Sequence, residues 1–237
     1  EFITIAAHQL RTPLTTVHWV FEGLKGKDKL EAEDKELAAS GLRESVKLLK
    51  IVNDLLDVSK IEEGKFGYDF KQVNIIDFLS GILTNAEAMA KEYEVKLYFD
   101  RGGEKALNLM IDATRLGLAI SNLLDNAIKY NIKNGSVTVK LERLVDKPYL
   151  QISIQDTGIG VPPEEISKLF TKFFRAGNAV KAETEGAGLG LYITKNIINR
   201  HGGTIRAEST ISRGTTFYFT LPLDFSLIPS SENPVTG

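Results

Sequence analysis

The sequence predicts an α+β protein, in which an N-terminal helical hairpin forms a dimeric four-helix bundle and is followed by an α/β sandwich. In the first quarter of the chain the apolar residues follow helical spacing only, whereas later helical stretches alternate with strand-like ones. Gly64 and Gly67 lie where the pattern changes and mark a short linker. We therefore expect two domains, at residues 1–66 and 68–225, and a mobile tail at residues 226–237.

The first helix carries a heptad seam, because its apolar residues are spaced alternately four and three apart. The seam consists of Ile3, Ala7, Leu10, Leu14, Val17, Phe21 and Leu24. Pro13 has no N–H for the carbonyl of Gln9, so we expect a bend just after His8. His8 lies on the flank of the seam, where solvent could reach its imidazole while the bundle holds its backbone. Taken alone, it also fits a surface histidine of a coiled coil, and we expect His18 and His201 to be of that kind.

A second helix is predicted at about residues 30–61, after a turn rich in glycine and lysine at residues 23–29. Its broad apolar face comprises Leu42, Leu48, Leu49, Ile51, Val52, Leu55, Leu56 and Val58. Two helices joined as a hairpin cannot bury both apolar stripes by themselves. Pairing of two hairpins into a four-helix bundle buries them, so we expect a homodimer.

The second domain alternates helices and strands. Helical periodicity covers residues 75–91 and 112–130, while apolar and polar residues alternate in "SVTVKLERL", "LQISIQD" and "TTFYFTLPL". The strands have hairpin-like spacing, and helices come between them. This order predicts a mixed sheet that is covered by helices on one face.

Composition limits the classes of function. The 237 residues include 29 Lys plus Arg and 31 Asp plus Glu, and the net charge of −2 argues against a dedicated nucleic-acid-binding protein. The absence of cysteine excludes disulfides and thiolate metal sites. No apolar run in the sequence is long enough to span a membrane. Because the chain starts at Glu1 inside a helical pattern, we expect it to be part of a longer protein.

One face of the helix predicted at residues 112–130 is suited to phosphate and a hard cation. Its apolar residues point one way, whereas Asn122, Asn126 and Lys129 follow one another on the opposite face. Tyr130 lies beside them. Amide oxygen is a suitable ligand for Mg²⁺, and lysine neutralises phosphate charge. A solvated helix face would show the same pattern, so the assignment depends on other motifs that converge on it.

Two glycine-rich stretches follow this helix. In "DTGIGVP", Asp156 ends a predicted strand, and Gly158 and Gly160 let the backbone turn tightly beside a ligand. The stretch "GAGLGLYI" supplies Gly186, Gly188 and Gly190 at the start of an apolar helix. The free N–H groups and the dipole of a helix N-terminus favour phosphate. Neither stretch is a GxxxxGK[ST] loop or a GxGxxG after a strand, which excludes a Walker and a Rossmann site.

In chain order, "HQLRTPLTT", "NLLDNAIKY", "DTGIGVP", "LFTKFFRA" and "GAGLGLYI" resemble the five sequence boxes of a bacterial-type sensor histidine kinase. The resemblance covers the chain to about residue 223. It implies a dimerisation and histidine phosphotransfer domain followed by a catalytic ATP-binding domain, with the fold shared by gyrase, mismatch-repair and chaperone ATPases. It also implies ATP and Mg²⁺ as cofactors and the receiver domain of a response regulator as partner.

The resemblance assigns roles to single residues. His8 resembles the phosphate acceptor, whose neutral imidazole attacks the γ-phosphate of ATP. Asn126 resembles the Mg²⁺ ligand, and Asn122 would lie near the phosphates. Asp156 resembles the carboxylate that accepts a hydrogen bond from the adenine amino group. The other ATP-binding positions that the resemblance implies are Lys129, Tyr130, Gly158, Gly160, Gly186, Gly188, Gly190, Leu191 and, at the border of the adenine pocket, Thr216.

Residues 171–187 resemble the mobile lid of such a site. Lys172 and Arg175 within it would neutralise the charge of the γ-phosphate. The aromatic residues next to these cations are Phe170, Phe173 and Phe174. They would anchor the lid on the domain, or they are simply core aromatics. The last glycine box reads Gly-Ala-Gly where Gly-Thr-Gly is common, and we expect little effect from that change.

Gln9 departs from the family pattern, in which Glu or Asp usually follows the histidine and acts as a base. Glutamine offers a carbonyl acceptor but takes up no proton at neutral pH. Two interpretations stay open: a working kinase in which phosphate oxygens or solvent receive the proton, and a non-catalytic ATP-binding scaffold. Thr12, four residues after His8, resembles the residue that orients a water for the reverse, phosphatase reaction.

The resemblance also implies a location. Parent proteins of this family are usually anchored in the cell membrane. We therefore expect this part of the protein to face the cytoplasm and to reach the membrane only through missing N-terminal parts. We expect no nucleic-acid partner.

Overall fold

A computed structural model describes residues 14–24, 31–182 and 186–229 of the chain. The chain divides into two compact units, Glu1–Phe66 and Gly67–Gly237. The predicted bend at Pro13 and the predicted roles of His8, Gln9 and Thr12 fall outside the described residues, as do parts of the predicted lid and tail.

The described part of the first unit is a pair of helices. Helix α1 covers residues 14–24, and α2 covers Ala32–Glu62. Leu14 packs against the buried Val52 and Leu56 of α2. Farther along, the Nδ1 atom of His18 lies 3.3 Å from the hydroxyl of Ser45. Leu14 of the predicted heptad seam therefore packs on the apolar face of α2, whereas Val17 of the same seam stays exposed.

Large apolar side chains of both helices remain exposed in the single chain. They are Val17, Trp19, Val20, Leu37, Val46 and Leu48. Trp19 is 65% exposed, and Leu48 is 47% exposed although it belongs to the apolar face that the sequence predicts. A hairpin with so much apolar surface in contact with water is stabilised when another apolar face covers it.

The second unit contains a five-stranded mixed sheet. Its strands are β2 (Lys96–Asp100), β4 (Ser136–Arg143), β5 (Tyr149–Asp156), β6 (Ile205–Thr210) and β7 (Gly214–Pro222). Their order in the sheet is β2-β4-β5-β7-β6. β2 runs parallel to β4, and the other neighbours are antiparallel. A separate antiparallel pair joins β1 (Lys71–Asn74) to β3 (Asn108–Ile111).

Three longer helices pack beside the sheet. They are α3 (Ile75–Glu92), α4 (Ala113–Lys129) and α7 (Gly190–Arg200), while α5 (Pro163–Ile166) and α6 (Gly177–Ala182) are short. The side chain of Asn74 caps α3 by accepting from the N–H of Ile76, and Asp112 caps α4 by accepting from that of Arg115. Within the described part of the chain, none of the helices has the length and hydropathy to cross a bilayer.

The core lies between these helices and one face of the sheet. Every second residue of the central strands is buried, namely Val137, Val139, Leu141, Leu150, Ile152, Ile154, Phe217, Phe219 and Leu221. They belong to one cluster with Leu116, Ile120 and Leu123 of α4. The alternate side chains point away from the helices, as the pleat of a strand requires. The predicted mixed sheet with helices on one face is confirmed.

A short 3₁₀-helix lies near the end of the described residues. Residues Phe225–Leu227 form a 3₁₀-helix, which the side chain of Asp224 caps by accepting from the N–H of Ser226. This helix lies at the start of the segment that the sequence predicts to be a mobile tail. Residues 230–237 are outside the described residues.

His201 is buried, so the prediction of a surface histidine was wrong for this residue. Only 1% of it is exposed. Its Nδ1 lies 2.8 Å from the carbonyl of Ile197, and its Nε2 accepts from the N–H of Asp112 at 3.0 Å. The Nδ1 atom therefore carries the proton and donates it to that carbonyl. The rings of Tyr68 and Phe70 pack against the imidazole, which ties the start of the second unit to α4 and α7.

The burial of His201 predicts a dependence of stability on pH. Burial lowers the pKa of His201 below its usual 6.5, and Arg200 acts in the same direction, against the Ile197 carbonyl and the Asp112 carboxylate. The unfolded chain then binds a proton more readily than the folded protein. The stabilisation is therefore complete above pH 6.5 and is lost as the pH falls through the lower folded pKa.

The test is thermal unfolding of the native protein and of His201→Gln at several pH values. The series runs from about pH 7.5 to about pH 5, which covers the range in which histidine titrates. Other groups titrate in both proteins, so the difference between the two curves isolates His201. We expect the native protein to lose its advantage over the variant as the pH falls. A difference that stays constant with pH contradicts this account.

Candidate functional site

Asp156 lies at the end of β5, where the strand meets the loop with Gly158 and Gly160. The residue is 6% exposed. Its Oδ1 accepts hydrogen bonds from the N–H groups of Gly158 at 2.8 Å and Thr215 at 3.1 Å. Both bonds end on Oδ1, and none of the residues that the structure describes donates to Oδ2, which leaves this oxygen for a further donor. A buried carboxylate that is held by two backbone donors is well suited to read one polar group of a ligand.

The environment of Asp156 shifts its titration. Burial raises the pKa of the carboxyl from 3.8 to about 6, and the hydrogen bonds from Gly158 and Thr215 oppose that rise. The carboxylate therefore ionises near neutral pH. A buried acid with a perturbed pKa and an unused oxygen marks a candidate binding site.

Helices α4 and α7 meet at Asn122. The residue is 6% exposed, and its Nδ2 donates to the carbonyl of Gly190 at 3.5 Å. A Cβ on Gly190 would lie 3.4 Å from the Cγ of Asn122, so the first turn of α7 packs directly on this amide. The alternative of a solvated helix face does not hold for Asn122, because α7 covers it. The contact brings the asparagine motif and the last glycine motif together.

The C-terminal end of α4 carries Asn126, Lys129 and Tyr130, all partly buried. The carbonyl of Tyr130 accepts from the N–H of Ile159 at 3.0 Å. This bond joins the end of α4 to the loop that follows Asp156. The polar groups of the helix and the buried carboxylate therefore border one region of the domain.

Two glycines allow close approaches of the backbone beside this region. Gly160 has φ +67°, and a Cβ there would overlap the carbonyl of Thr210. Gly188 has φ +68°, and a Cβ there would lie 2.7 Å from the carbonyl carbon of Phe173. L-residues rarely adopt this backbone region, so both positions favour glycine for conformational and steric reasons.

The described part of the predicted lid contacts the start of α7. The ammonium of Lys172 lies 5.1 Å from the ring centre of Tyr192, and Arg175 donates to the carbonyl of Gly186 at 3.4 Å. Each cation therefore points to the segment that carries the glycines. The lid helix α6 is held by Asn178, whose amide donates to the carbonyl of Gly160 at 2.7 Å.

The three phenylalanines of this segment differ in how deeply they are buried. Phe170 and Phe174 are partly buried against the core, and Phe170 makes an edge contact with Phe217 at 6.3 Å. Phe173 is 63% exposed with φ +61°. Two of the three aromatics therefore anchor the segment, and the third does not belong to the core.

Thr215 lies beside the buried carboxylate. Its N–H bonds Asp156, and its side chain is buried. Thr216, which the sequence predicts at the border of the pocket, is only partly buried and points to the other face of the sheet, because side chains alternate along β7. Leu191 is partly buried and packs against the core from the first turn of α7.

A magnesium ion fits the donors of this site if the ligand supplies most of the oxygens. Among the described residues, no group of three or more His, Cys, Asp and Glu side chains could hold a metal ion. Mg²⁺ commonly takes one or two protein oxygens, together with phosphate oxygens and water. The partly buried amide of Asn126 can supply one such oxygen.

Family comparisons agree with the division of the chain into two units. Residues 1–64 match the His Kinase A (phospho-acceptor) domain, and residues 111–225 match the family of histidine kinase-, DNA gyrase B- and HSP90-like ATPases. The chain belongs to the sensor histidine kinases. Both domain types that define the resemblance are therefore present, in the expected order.

Individual sensor histidine kinases resemble the chain over most of its length. WalK of Bacillus subtilis (strain 168) is 34% identical over 226 residues, which cover 94% of this chain and 36% of that protein. The crystal structure of full-length ShkA in complex with AMPPNP has a TM-score of 0.78 at 25% identity, covering 94% of this chain and 45% of that chain. ThkA in complex with the response regulator TrrA has a TM-score of 0.66 at 25% identity, covering 93% and 60%.

Sequence patterns missed three residues that border the site. Thr215 holds Asp156, while Asn131 and Thr157 bond each other between α4 and β5. All three act through hydrogen bonds between elements that are distant in sequence. Periodicity carries no signal for such bonds.

Proposed function

We propose that the chain uses ATP to phosphorylate His8 and then passes the phosphoryl group to an aspartate of a response regulator. The proposal rests on one observation above all. The domain that matches the ATPase family has a buried carboxylate, Asp156, whose Oδ2 receives no bond from the described residues, beside a helix end that carries Asn126 and Lys129. His8 belongs to the segment that matches the phospho-acceptor domain.

The proposed binding residues contact different parts of the nucleotide and its metal ion. Oδ2 of Asp156 accepts from the adenine amino group, and Gly158 and Gly160 give the base room. The phosphates contact Lys129, Lys172, Arg175, Gly186, Gly188 and Gly190. Asn122 supports this group from beneath α7 through its bond to the carbonyl of Gly190. Asn126 holds Mg²⁺, which offsets phosphate charge, and Tyr130 contacts the sugar. Leu191 supports the glycine segment, and Thr216 stays a prediction.

The phosphoryl transfer forms one bond and breaks one. A neutral ring nitrogen of His8 attacks the γ-phosphorus, and the bond from that phosphorus to the β,γ-bridging oxygen breaks as ADP leaves. The other ring nitrogen then loses its proton to a phosphate oxygen or to solvent, since Gln9 cannot take it up. We propose that Thr12 orients a water when the phosphoryl group on the regulator is hydrolysed.

The proposed domains are a dimerisation and phosphotransfer domain at residues 1–66 and a catalytic domain at residues 68–225. The exposed apolar side chains of α1 and α2 support a homodimer, in which the second copy covers them. ThkA, which resembles this chain, is seen with a response regulator, and this supports a receiver domain as the partner here.

The alternative of a non-catalytic scaffold rested on Gln9 alone. The relatives that the chain resembles carry kinase names, so no observation adds weight to that alternative. Incubation with ATP labelled at the γ-phosphate, in the presence of Mg²⁺, separates the two. We expect a label that is acid-labile and alkali-stable and that is absent from His8→Gln. ATP binding without any label contradicts the proposed kinase.

The Gln9→Glu variant tests whether proton removal limits the reaction. General-base catalysis typically contributes about 10²–10⁴-fold. We expect a gain of less than about tenfold, because a conformational step such as lid closure often limits the rate. The measurement is the single-turnover rate of labelling at saturating ATP, with His8→Gln as the blank. No labelling of the native protein beside strong labelling of Gln9→Glu contradicts this view.

The raised pKa of Asp156 predicts a pH dependence of ATP affinity. The ionised carboxylate accepts from the adenine amino group, so bound ATP lowers a pKa that is about 6 in the free protein. Affinity is therefore complete above this pKa and falls below it, by up to about tenfold per pH unit. The phosphates of ATP also titrate, and Asp156→Asn serves as control. By calorimetry, the ATP affinity of the native protein should decline more steeply than that of Asp156→Asn between about pH 7 and about pH 5, a range that spans this pKa. Equal slopes contradict the assignment.

A further inference from the structure

Asn131 connects three segments just beyond the end of α4. Its amide donates to the carbonyls of Ala127 and Ser136, both at 3.0 Å. Its Oδ1 accepts from the N–H of Ile132 at 2.9 Å and from the hydroxyl of Thr157 at 3.0 Å. Both N–H donors and the carbonyl oxygen of this side chain are therefore used, which is the full set that an asparagine offers to fix its position.

The hydroxyl of Thr157 completes the connection from the other side. It donates to Asn131 and accepts from the N–H of Ser136 at 2.9 Å. The backbone of Thr157 also donates to the carbonyl of Ser136 at 3.2 Å. Thr157 directly follows Asp156, so these bonds fix the residue next to the buried carboxylate.

Two glycines let the backbone approach this junction closely. A Cβ on Gly135 would overlap the Oδ1 of Asn131 and would lie 2.7 Å from the hydroxyl of Thr157. A Cβ on Gly158 would likewise overlap the carbonyl of Tyr130. The loop after β5 therefore rests directly on the end of α4, with glycine at both points of contact.

The junction is a polar contact at the rim of the domain. Thr157 is exposed and Asn131 is partly buried, so neither contributes an apolar side chain to the core. Each is a close neighbour in sequence of proposed ATP-binding residues. Asn131 follows Lys129 and Tyr130, and Thr157 follows Asp156.

We propose that Asn131 and Thr157 are a positioning pair, which fixes the adenine-reading carboxylate of Asp156 relative to the phosphate-binding end of α4. This inference rests on the proposed function, because it assumes that ATP binds here. The pair touches no reacting atom and acts only through Asp156 and the end of the helix. Loss of the Thr157 hydroxyl removes its side-chain bonds to Asn131 and Ser136 and leaves its backbone bond to the carbonyl of Ser136. The looser loop places Asp156 less precisely against the adenine amino group.

The test compares ATP affinity by calorimetry in the native protein, Thr157→Val, Asp156→Asn and the double variant. Loss of one hydrogen bond of ordinary strength predicts about a three- to tenfold weaker ATP affinity for Thr157→Val. Thr157→Ser keeps the hydroxyl and should restore native affinity. Because the threonine acts through the carboxylate, Thr157→Val should weaken binding little further once Asp156 is Asn.

Thr220→Val is the matched control. Its hydroxyl also accepts from a backbone N–H, that of Thr204 at 3.0 Å, and meets a side-chain partner, the Thr204 hydroxyl, at 3.2 Å. It belongs to β7, away from the proposed site, so its loss should leave ATP affinity unchanged. Thermal unfolding of each variant confirms that it is folded.

The outcomes distinguish a failure of the positioning pair from a failure of the proposed function. Native affinity in Thr157→Val, or effects of Thr157→Val and Asp156→Asn that simply multiply, overturns the positioning pair. An equal loss in Thr220→Val also overturns it, since the effect then belongs to any lost hydroxyl. If the native protein itself binds no ATP, the proposed function fails instead.

Discussion

Asn126→Ala should abolish phosphorylation of His8. In the proposed site this amide supplies the protein oxygen for Mg²⁺. A bound Mg²⁺ would place the phosphates and would offset the charge that builds up during transfer. The other residues on this face of α4 cannot replace it, because Asn122 is buried under α7 and Lys129 is a cation. We expect label below the detection limit at saturating ATP and Mg²⁺.

Asn196→Ala is the matched control for that experiment. Asn196 is also a partly buried asparagine on a helix, and its amide donates to the carbonyl of Tyr192, one turn earlier. It has no proposed contact with ATP, so labelling should persist. Normal labelling of Asn126→Ala would place the metal ligand elsewhere.

Asp156→Asn should weaken ATP binding by about tenfold or more, the range for loss of a hydrogen bond to a charged group. Asparagine can keep one oxygen towards the N–H groups of Gly158 and Thr215. Its NH₂ group then replaces Oδ2, and two donors face each other at the adenine amino group. Calorimetric titration with ATP measures the loss. An unchanged dissociation constant means that another residue reads the base.

The sequence predicted the central strands of the second unit but not its other strands. β4, β5 and β7 are eight or nine residues long and have a buried residue at every second position. By contrast, β1 and β3 have four residues each, and β6 has no fully buried residue. A strand of four residues is too short to show a period, and the inner face of β6 has only two apolar residues, Ile205 and Ala207, so none of the three gives a strong pattern.

Most candidate site residues could be found from local motifs, but their surroundings could not. Asn122 follows the polar stripe of α4 in sequence, yet α7 covers it. The neighbours of His201 in the sequence suggest a surface histidine. In the structure its Nε2 accepts a hydrogen bond from the N–H of Asp112, at the start of α4. Both outcomes depend on contacts between residues more than sixty positions apart, which periodicity does not record.

The most direct test of the proposed phosphorylation of His8 is to identify which residue carries the phosphoryl group. The native protein is incubated with ATP and Mg²⁺, digested at neutral to alkaline pH, and its phosphopeptides are mapped by mass spectrometry. We predict a single phosphorylated residue, His8, and no such peptide from His8→Gln or Asn126→Ala. Phosphate on serine or threonine, or ATP bound with no phosphopeptide at all, would contradict the account.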